Sequence, residues 1–196
     1  MLKVGITGGI GSGKTTICEI FTQLGIPVFH SDAEANKLLN TAEVIDFYKK
    51  EFGEIVFSNG LLDKQKVANL IFKNPEALQK VNGFIHPLVN KNFKDWTLSQ
   101  KNCNYVIKES ALLLEGNNRG DLSYIVLVLA PLELRIKRVM LRDQTDENAI
   151  LERIKNQTSD DEKMKLADFI ISNDVQSLVL PQVLTLHKMF LKEVQK

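Results

Sequence analysis

The chain has 196 residues, 44% hydrophobic and 25% charged, which is ordinary for a globular protein that buries a core without disulfides. Its formal net charge of +1 argues against a dedicated nucleic-acid-binding protein, because such proteins need a strong basic excess. No apolar run approaches the roughly 20 residues that span a bilayer, no signal peptide is visible, and Cys18 and Cys103 lack metal-ligand spacing. We therefore expect a cytoplasmic protein that binds neither nucleic acid nor membranes, and we take it to be a monomer.

The first half of the chain predicts strands and helices in alternation. The opening apolar run ends in Gly8-Gly9 and indicates a buried strand, while the helix after it has one apolar face and ends at Gly25. In chain order we predict a strand at 2–7, a helix at 15–24, a strand at 27–30, a helical stretch at 33–52 broken near residue 40, a helix to residue 72 capped by Asp63, a helix start at Pro75, and a longer helix at 84–100.

The second half continues the alternation. We predict strands at 105–107 and 124–129, a helix at 132–141, more helix after residue 145, a helix opened by a Ser159–Glu162 capping box, a strand at 169–172 and a final helix at 178–194. Strands that alternate with helices imply an α/β fold with a parallel sheet covered by helices on both faces. The helical stretch from about 53 to 100 delays the third strand and indicates an inserted subdomain.

The first strand leads into a phosphate-binding loop. Residues 8–15 match the P-loop pattern Gly-x-x-x-x-Gly-Lys-Ser/Thr at every fixed position, between an apolar strand and an amphipathic helix. Glycines such as Gly9, Gly11 and Gly13 let the backbone aim successive N–H groups at an anion, and the helix start adds its dipole. Lys14 supplies a point charge for the β- and γ-phosphates, and we expect the Thr15 hydroxyl to bind Mg²⁺. A nucleoside triphosphate is the predicted ligand.

Two classes of P-loop protein remain to be separated. Switch GTPases carry Asp-x-x-Gly to sense the γ-phosphate and Asn-Lys-x-Asp to read guanine. No glycine in this chain has an aspartate three residues before it, and neither Asn36-Lys37 nor Asn90-Lys91 continues into the guanine motif. A regulatory NTPase is therefore disfavoured, and an ATP-dependent kinase of a metabolite or a nucleotide is favoured.

Such a kinase needs a carboxylate near the acceptor hydroxyl and cations that follow the moving phosphoryl group. Asp32 follows the second strand at the carboxyl edge of the sheet, where it could act as a base or simply cap the helix from residue 33. Arg138 and Arg142 are four residues apart on one predicted helix, so they either clamp phosphate together or form a solvated face. Glu109 ends a strand and is either a metal-binding acid or a surface glutamate.

The residues also resemble the dephospho-coenzyme A kinase family along most of the chain. The resemblance covers the opening at 5–16, a Gly-x-Pro-Val segment followed by Asp32-Ala33, the stretch Ile85-His86-Pro87-Leu88, an Ala-Leu-Leu-Leu-Glu segment at 111–115, and a pattern that runs through Arg138, Arg142, Arg153 and Gln157 to Asn173-Asp174. The family usually has proline in place of Ala111, and often glycine in place of Val175.

This resemblance implies a P-loop kinase fold in three parts: a nucleotide-binding core at about 1–52, 104–140 and 165–196, a helical substrate subdomain at about 53–103, and a lid at about 141–164. It implies ATP and Mg²⁺ as cofactors and dephospho-coenzyme A as the acceptor. By the same resemblance Asp32 would be the base, Arg138 and Arg142 lid cations, and His86 a substrate-domain residue. ATP would be held by Gly11, Ser12, Gly13, Lys14, Thr15 and Thr16, with Asn173 near the adenine. Without the resemblance, another small-molecule or nucleotide kinase fits the residues nearly as well.

Overall fold

A computed structural model describes residues 1–115 and 119–195. The strands in these ranges are β1 Leu2–Thr7, β2 Val28–His30, β3 Phe57–Ser58, β4 Leu61–Leu62, β5 Tyr105–Glu109, β6 Tyr124–Leu129 and β7 Phe169–Ser172. The helices are α1 Lys14–Gln23, α2 Ser31–Leu38, α3 Ala42–Phe52, α4 Lys64–Lys73, α5 Pro75–Ser99, α6 Leu132–Asp143, α7 Glu147–Lys155, α8 Asp160–Leu166 and α9 Val179–Val194, with a 3₁₀ turn at Gly53–Val56.

The contacts divide the chain into two compact units. The first unit comprises Met1–His30 and Gln100–Lys196, and the second comprises Ser31–Ser99. The second unit begins earlier than the boundary near residue 53 that the sequence suggests, because α2 and α5 contact each other within it.

The first unit contains a five-stranded sheet in the order β2-β5-β1-β6-β7, with every neighbouring pair parallel. Its strands are nearly continuous apolar runs, as expected where both faces of a parallel sheet are buried. The carboxyl ends of β1, β5 and β2 lie side by side, since Ile6 and His30 are both in register with Glu109. This is the edge of the sheet at which α/β proteins bind their ligands.

One hydrophobic cluster joins α1 and α9 to the sheet. The apolar side chains of each strand alternate between the two faces, so Val4 and Ile6 of β1 point into this cluster, whereas Gly5 lies between them. A side chain at Gly5 would meet Leu113 and Leu122, so those two residues pack directly on the backbone of β1. The fully buried members of the cluster include Ile17, Cys18, Phe21, Tyr105, Ile107, Val126, Val128, Ile171, Val183 and Phe190. Burial raises the pKa of the Cys18 thiol, in keeping with a reduced core residue.

The second unit is mainly helical. Asp63 caps α4 as the sequence predicts, accepting hydrogen bonds from the backbone N–H groups of Gln65 and Lys66. A small hairpin, β3 with β4, was not predicted. Its two connecting residues, Asn59 and Gly60, have φ values of 51° and 76°, which is the backbone that an Asn-Gly hairpin turn requires.

Helix α5 corrects the prediction of a separate helix from residue 84, because a single helix runs from Pro75 to Ser99 through Pro87. Asn74 accepts hydrogen bonds from two N–H groups of the first turn, as predicted for its cap. The buried residues recur every fourth position, namely Ala77, Val81, Ile85, Val89, Phe93 and Thr97. This continuous buried stripe outweighs the loss of one backbone hydrogen bond at the proline.

Candidate active site

The loop after β1 has the backbone conformation of a phosphate cradle. Gly11 and Gly13 have φ values of 75° and 94°, in the left-handed region that side chains other than glycine avoid. The N–H of Ser12 donates to Gly9 O at 3.2 Å, which closes a turn within the loop. Helix α1 then begins at Lys14, so the unpaired N–H groups of its first turn face the loop.

Three side chains from other segments donate to the outer carbonyl oxygens of this loop. Arg135 Nε lies 2.9 Å from Ile10 O, Asn173 Nδ2 lies 2.7 Å from Ser12 O, and Arg138 Nη1 lies 3.5 Å from Ser12 O. Within a trans peptide the C=O and N–H groups point in opposite directions. Holding the carbonyls therefore turns the N–H groups of the following residues away from these side chains, into the loop.

Lys14 already uses its ammonium group within the loop. Its Nζ lies 2.9 Å from Gly8 O and 3.3 Å from Gly9 O. An ammonium group has three donors and forms a stronger bond to a charged acceptor than to a neutral one. A phosphate in the loop would therefore compete with these carbonyls for a charge that already lies in position.

The other hydroxyl groups of the loop region differ in exposure. Thr15 and Thr16, in the first turn of α1, are exposed, whereas Ser12 is 1% exposed. The hydroxyl oxygen of Ser12 has no hydrogen-bond partner among residues 1–115 and 119–195. A buried hydroxyl inside a phosphate cradle fits an anionic ligand that accepts from it.

Arg138 and Arg142 share helix α6 but bind different partners. Arg138 donates to Asn173 through Nη2, at 3.3 Å from both the backbone and the side-chain oxygen, and reaches Gly11 O at 3.5 Å. Arg142 instead pairs with Asp143, at 2.6 and 3.0 Å, and this ion pair raises its pKa. In this structure Arg138 therefore lies at the P-loop, while Arg142 lies on the exposed end of α6.

Asn173 directly follows β7 and connects that strand to the P-loop. Its backbone N–H donates to Leu129 O at 2.7 Å, so the residue is fixed at the carboxyl edge of the sheet. Its side-chain amide lies so close to Gly13 that a Cβ on that glycine would overlap it. Asn173 therefore contacts the P-loop at Ser12 and Gly13.

Glu109 is not a surface glutamate. It is 7% exposed at the carboxyl end of β5, and its Oε2 lies 3.1 Å from Nδ1 of His30, the last residue of β2. The alternative of a plain surface residue is wrong, because the strand end on which it lies is covered in the fold. A buried carboxylate beside the carboxyl end of β1 retains an oxygen that could hold a hydrated cation.

Two candidates, Asp32 and His86, belong to the second unit. Asp32 is exposed in the first turn of α2, which begins at Ser31 directly after β2. Its predicted role as the cap of a helix from residue 33 is therefore wrong, because the helix starts before it. His86 lies in the middle of α5 and is partly exposed.

Sequence reasoning missed Arg135 and gave Gln157 no role. Arg135 is 4% exposed and binds both Ile10 O and Asp160, while Gln157 Oε1 accepts from Ile10 N at 3.0 Å. Arg135 is three positions before Arg138, so a shared helix face was its only signal in the sequence. The contact with the P-loop depends on how the chain returns to the sheet edge, which no local pattern encodes.

Apolar contacts anchor α7 to α6. Ile150 is fully buried against Ile136 and Val139 of α6. Ile154 packs on the edge of the same cluster, as does Ile10 at the tip of the P-loop. Ile150 and Ile154 are four positions apart, so the helical period places both on one face of α7.

Comparisons with known proteins agree with this geometry. The family model for dephospho-CoA kinase matches residues 2–178. The dephospho-CoA kinase of Bacteroides fragilis strain YCH46 is 42% identical over 190 residues, which cover 94% of this chain and 91% of that protein.

Solved structures share the fold. A crystal structure of a protein from Thermus thermophilus has a TM-score of 0.84 and 34% identity, and it covers 98% of this chain and 97% of its own. The dephospho-CoA kinase from Campylobacter jejuni has a TM-score of 0.68 and 25% identity, covering 97% and 98% respectively. The chain therefore belongs to the dephospho-CoA kinase family, P-loop kinases that use ATP as phosphate donor and carry out the last step of coenzyme A biosynthesis.

Proposed function

We propose that this protein transfers the γ-phosphoryl group of ATP to the ribose 3′-hydroxyl of dephospho-CoA, giving coenzyme A and ADP. The observation that carries the proposal is the family match over residues 2–178, which includes the whole P-loop and the elements around it. The alternative of another small-molecule or nucleotide kinase explains the P-loop equally well but not that match. We further propose that the protein acts as a cytoplasmic monomer.

The first unit fits a nucleoside triphosphate. Backbone N–H groups of the P-loop and of the α1 start would bind the phosphates, and Lys14 would place its charge on the β- and γ-phosphoryl oxygens. Arg138 lies at the same loop, and a guanidinium there can stabilise the charge that spreads over the transferring group. Asn173 beside Gly13 supports a role near the nucleotide, and we assign it to the adenine side.

Mg²⁺ fits the oxygen ligands that the first unit offers. Magnesium keeps several waters and binds through one or two protein oxygens together with substrate phosphates. Thr15 has an exposed hydroxyl at the start of α1, and Glu109 has a buried carboxylate at the carboxyl end of β5. We propose that Thr15 binds the ion directly and that Glu109 binds it through water. The ion would neutralise charge that develops on the phosphoryl oxygens.

Asp32 is the proposed base for the acceptor hydroxyl. It comes two residues after β2 in the chain, and the carboxyl end of β2 pairs with the end of β5. Its carboxylate would accept or orient the proton of the 3′-hydroxyl as the oxygen attacks the γ-phosphorus. We propose that His86 in α5 contacts the acceptor, and that Arg142 supplies a lid cation once Asp143 releases it.

One comparison of acceptors tests the proposal. ATP consumption is measured with dephospho-CoA and, separately, with a panel of nucleosides, nucleoside monophosphates and gluconate. We expect dephospho-CoA to give the highest kcat/KM, with coenzyme A and ADP formed in equal amounts. A higher kcat/KM with any other member of the panel would refute the assignment in favour of another small-molecule kinase.

A further inference from the structure

Arg135 is a buried cation in the middle of the first unit. Its side chain is 5% exposed, although arginine is rarely buried without partners. Nε donates to Ile10 O at 2.9 Å, and Nη1 donates to Asp160 Oδ2 at 2.8 Å. The guanidinium thus joins the tip of the P-loop to the first turn of α8. Its planar fork can serve both acceptors at once, which a lysine ammonium cannot do with the same geometry.

The tip of the P-loop is held on both sides of one residue. Besides the bond from Arg135 to Ile10 O, the N–H of Ile10 donates to Gln157 Oε1 at 3.0 Å. The other terminal nitrogen of Arg135 lies against Gly9, where a Cβ would overlap it. Hydrogen bonds therefore fix the direction of both backbone groups of Ile10, its N–H and its C=O.

This arrangement decides where the next N–H group points. The peptide that joins Ile10 to Gly11 is planar, so fixing its C=O toward Arg135 fixes the N–H of Gly11 on the opposite side. Gly11 itself has a positive φ of 75° and offers no side chain to hold that orientation. The direction of this N–H therefore depends on Arg135.

Asp160 is the anion that keeps Arg135 in place. It lies in the first turn of α8, where a negative charge is favourable to the helix dipole. The neighbouring cation Lys163 is fully buried, and its Nζ has no hydrogen-bond partner among residues 1–115 and 119–195. Lys163 interacts electrostatically with Asp160 and Glu115, so Asp160 faces two cations. Loss of its charge would leave Arg135 and Lys163 close together with less compensation.

We propose that Arg135 and Asp160 form a positioning pair that sets the affinity of the P-loop for phosphates by orienting the Gly11 N–H. The pair links α8 to the phosphate site, so a displacement of α8 changes phosphate affinity. Both side chains would act through the backbone of the loop rather than on the reacting atoms. The inference rests on the proposed function only in taking the P-loop to bind the phosphates of ATP.

Substitution of Asp160 tests the pair. Asp160→Asn keeps the size of the side chain and removes its charge, while Asp161→Asn is the matched control, since Asp161 is exposed in the same first turn. Binding of inorganic tripolyphosphate and of a non-hydrolysable ATP analogue is measured by calorimetry. Because charge-assisted hydrogen bonds are stronger than neutral ones, we expect Asp160→Asn to lower the affinity for both ligands by roughly tenfold. Asp161→Asn should change neither by more than about twofold.

Kinetics and a second variant separate positioning from a merely structural role. Asp160→Asn should raise the KM for ATP with a much smaller change in kcat, and Asp160→Glu should restore part of the affinity. Arg135→Lys should weaken binding at least as much as Asp160→Asn, because the fork is lost. If Arg135→Lys does not fold, Asp160→Asn decides the question, since that side chain is 38% exposed.

Several outcomes would overturn the inference. It fails if folded Asp160→Asn binds tripolyphosphate with an affinity within twofold of that of the unsubstituted protein. It also fails if the variant lowers kcat while the KM for ATP is unchanged. A loss of affinity for the ATP analogue alone would also refute it, because the effect would then lie on the adenine side of the site. Tripolyphosphate binding does not involve the acceptor. If the protein does not phosphorylate dephospho-CoA, the proposed function is refuted, but this binding test remains valid.

Discussion

The ammonium group of Lys14 lies between two carbonyl oxygens of the P-loop, Gly8 O at 2.9 Å and Gly9 O at 3.3 Å. It is thus kept close to the phosphate site without contributing to the hydrophobic core. Lys14→Ala should lower turnover by at least about 100-fold, because a charge on the transferring phosphoryl group is lost. The control is Lys137→Ala, an exposed lysine on α6.

Circular dichroism and the melting temperature show whether Lys14→Ala is folded. A folded variant with near-normal turnover would contradict the role of this lysine in the phosphate cradle.

Asp32 offers a second test at the scale of one side chain. It is exposed in the first turn of α2, where its charge contributes only about 0.3–1 kcal/mol through the helix dipole. General-base catalysis contributes about 10²- to 10⁴-fold, so Asp32→Asn should lower turnover by that range with little change in ATP affinity. Asp46→Asn, exposed on α3, is the control. Turnover of Asp32→Asn within threefold of the unsubstituted protein would require a different base.

We expect the stability to depend on pH because the pKa of Lys163 is shifted in the folded protein. Burial lowers its pKa below the ordinary value of 10.5, although the charges of Glu115 and Asp160 act in the opposite direction. Between the lowered pKa and 10.5 the unfolded chain binds more protons at this site than the folded chain does. The contribution of Lys163 to the free energy of unfolding therefore rises with pH through that window. The rise is about 1.4 kcal/mol for each unit by which the pKa is lowered.

The variant Lys163→Met isolates this contribution, because methionine has a similar length and no charge. Melting temperatures of the two proteins are compared from pH 7 to 10.5. The difference between them should shift in favour of the unsubstituted protein as the pH rises, while contributions common to both proteins cancel. A difference that is constant over the whole range would show that Lys163 does not titrate differently in the folded state.

At the scale of elements, α7 belongs to the proposed lid and is held by a small apolar cluster. Its buried residue Ile150 packs in the small cluster with Ile136 and Val139, whereas β1 and β6 lie in the main core. Elements with few buried contacts open at a lower free energy than the core does. If α7 is part of a lid, its opening is limited by this cluster rather than by the polar character of the segment.

We predict that backbone hydrogen exchange in Glu147–Lys155 is faster than in β1 and β6 of the free protein, and that it slows when an ATP analogue and dephospho-CoA are both bound. Closure over the ligands would withdraw this helix from solvent. The strand β7 serves as an internal control, since it is part of the sheet. Equal exchange of α7 in the free and ternary forms would count against a lid.

At the scale of the whole molecule, α9 closes the main core. Phe190 is fully buried and its ring contacts Tyr105 of β5, Tyr124 of β6 and Phe169 of β7, so one side chain spans three strands. None of the helices in residues 1–115 and 119–195 is long and apolar enough to cross a membrane. Because Phe190 contacts three strands, the stability of the first unit depends on the packing of α9 against the sheet.

Phe190→Ala should lower the free energy of unfolding by about 3–5 kcal/mol, because it leaves a cavity under α9. For a chain of this size that corresponds to a fall of about 6–20 °C in melting temperature. Leu180→Ala is the control, since Leu180 is 53% exposed on the same helix. A fall no larger than that of the control would mean that α9 is not required for the cohesion of the core.

Local sequence determined the elements and the phosphate-binding loop. Short apolar runs, many of them β-branched, predicted the strands of the sheet, and the capping residues Asp63 and Ser159 predicted their helix starts, because strands, caps and P-loops depend on neighbouring residues. The family followed from motifs spread along the chain. The Asn59-Gly60 pair is the sequence signal of the hairpin, and the buried stripe of α5 outweighs the helix-breaking tendency of Pro87.

Only the tertiary structure decided which charged side chains serve the loop. Arg135, Arg138 and Arg142 all appear on one helix in the sequence, yet the first two contact the P-loop and the third pairs with Asp143. The sequence likewise left Glu109 open between a metal-binding acid and a surface residue, and the fold buries it. These outcomes depend on parallel strands that bring distant segments to one edge of the sheet. Contacts over more than a hundred residues have no local pattern, whereas a P-loop is contained within eight.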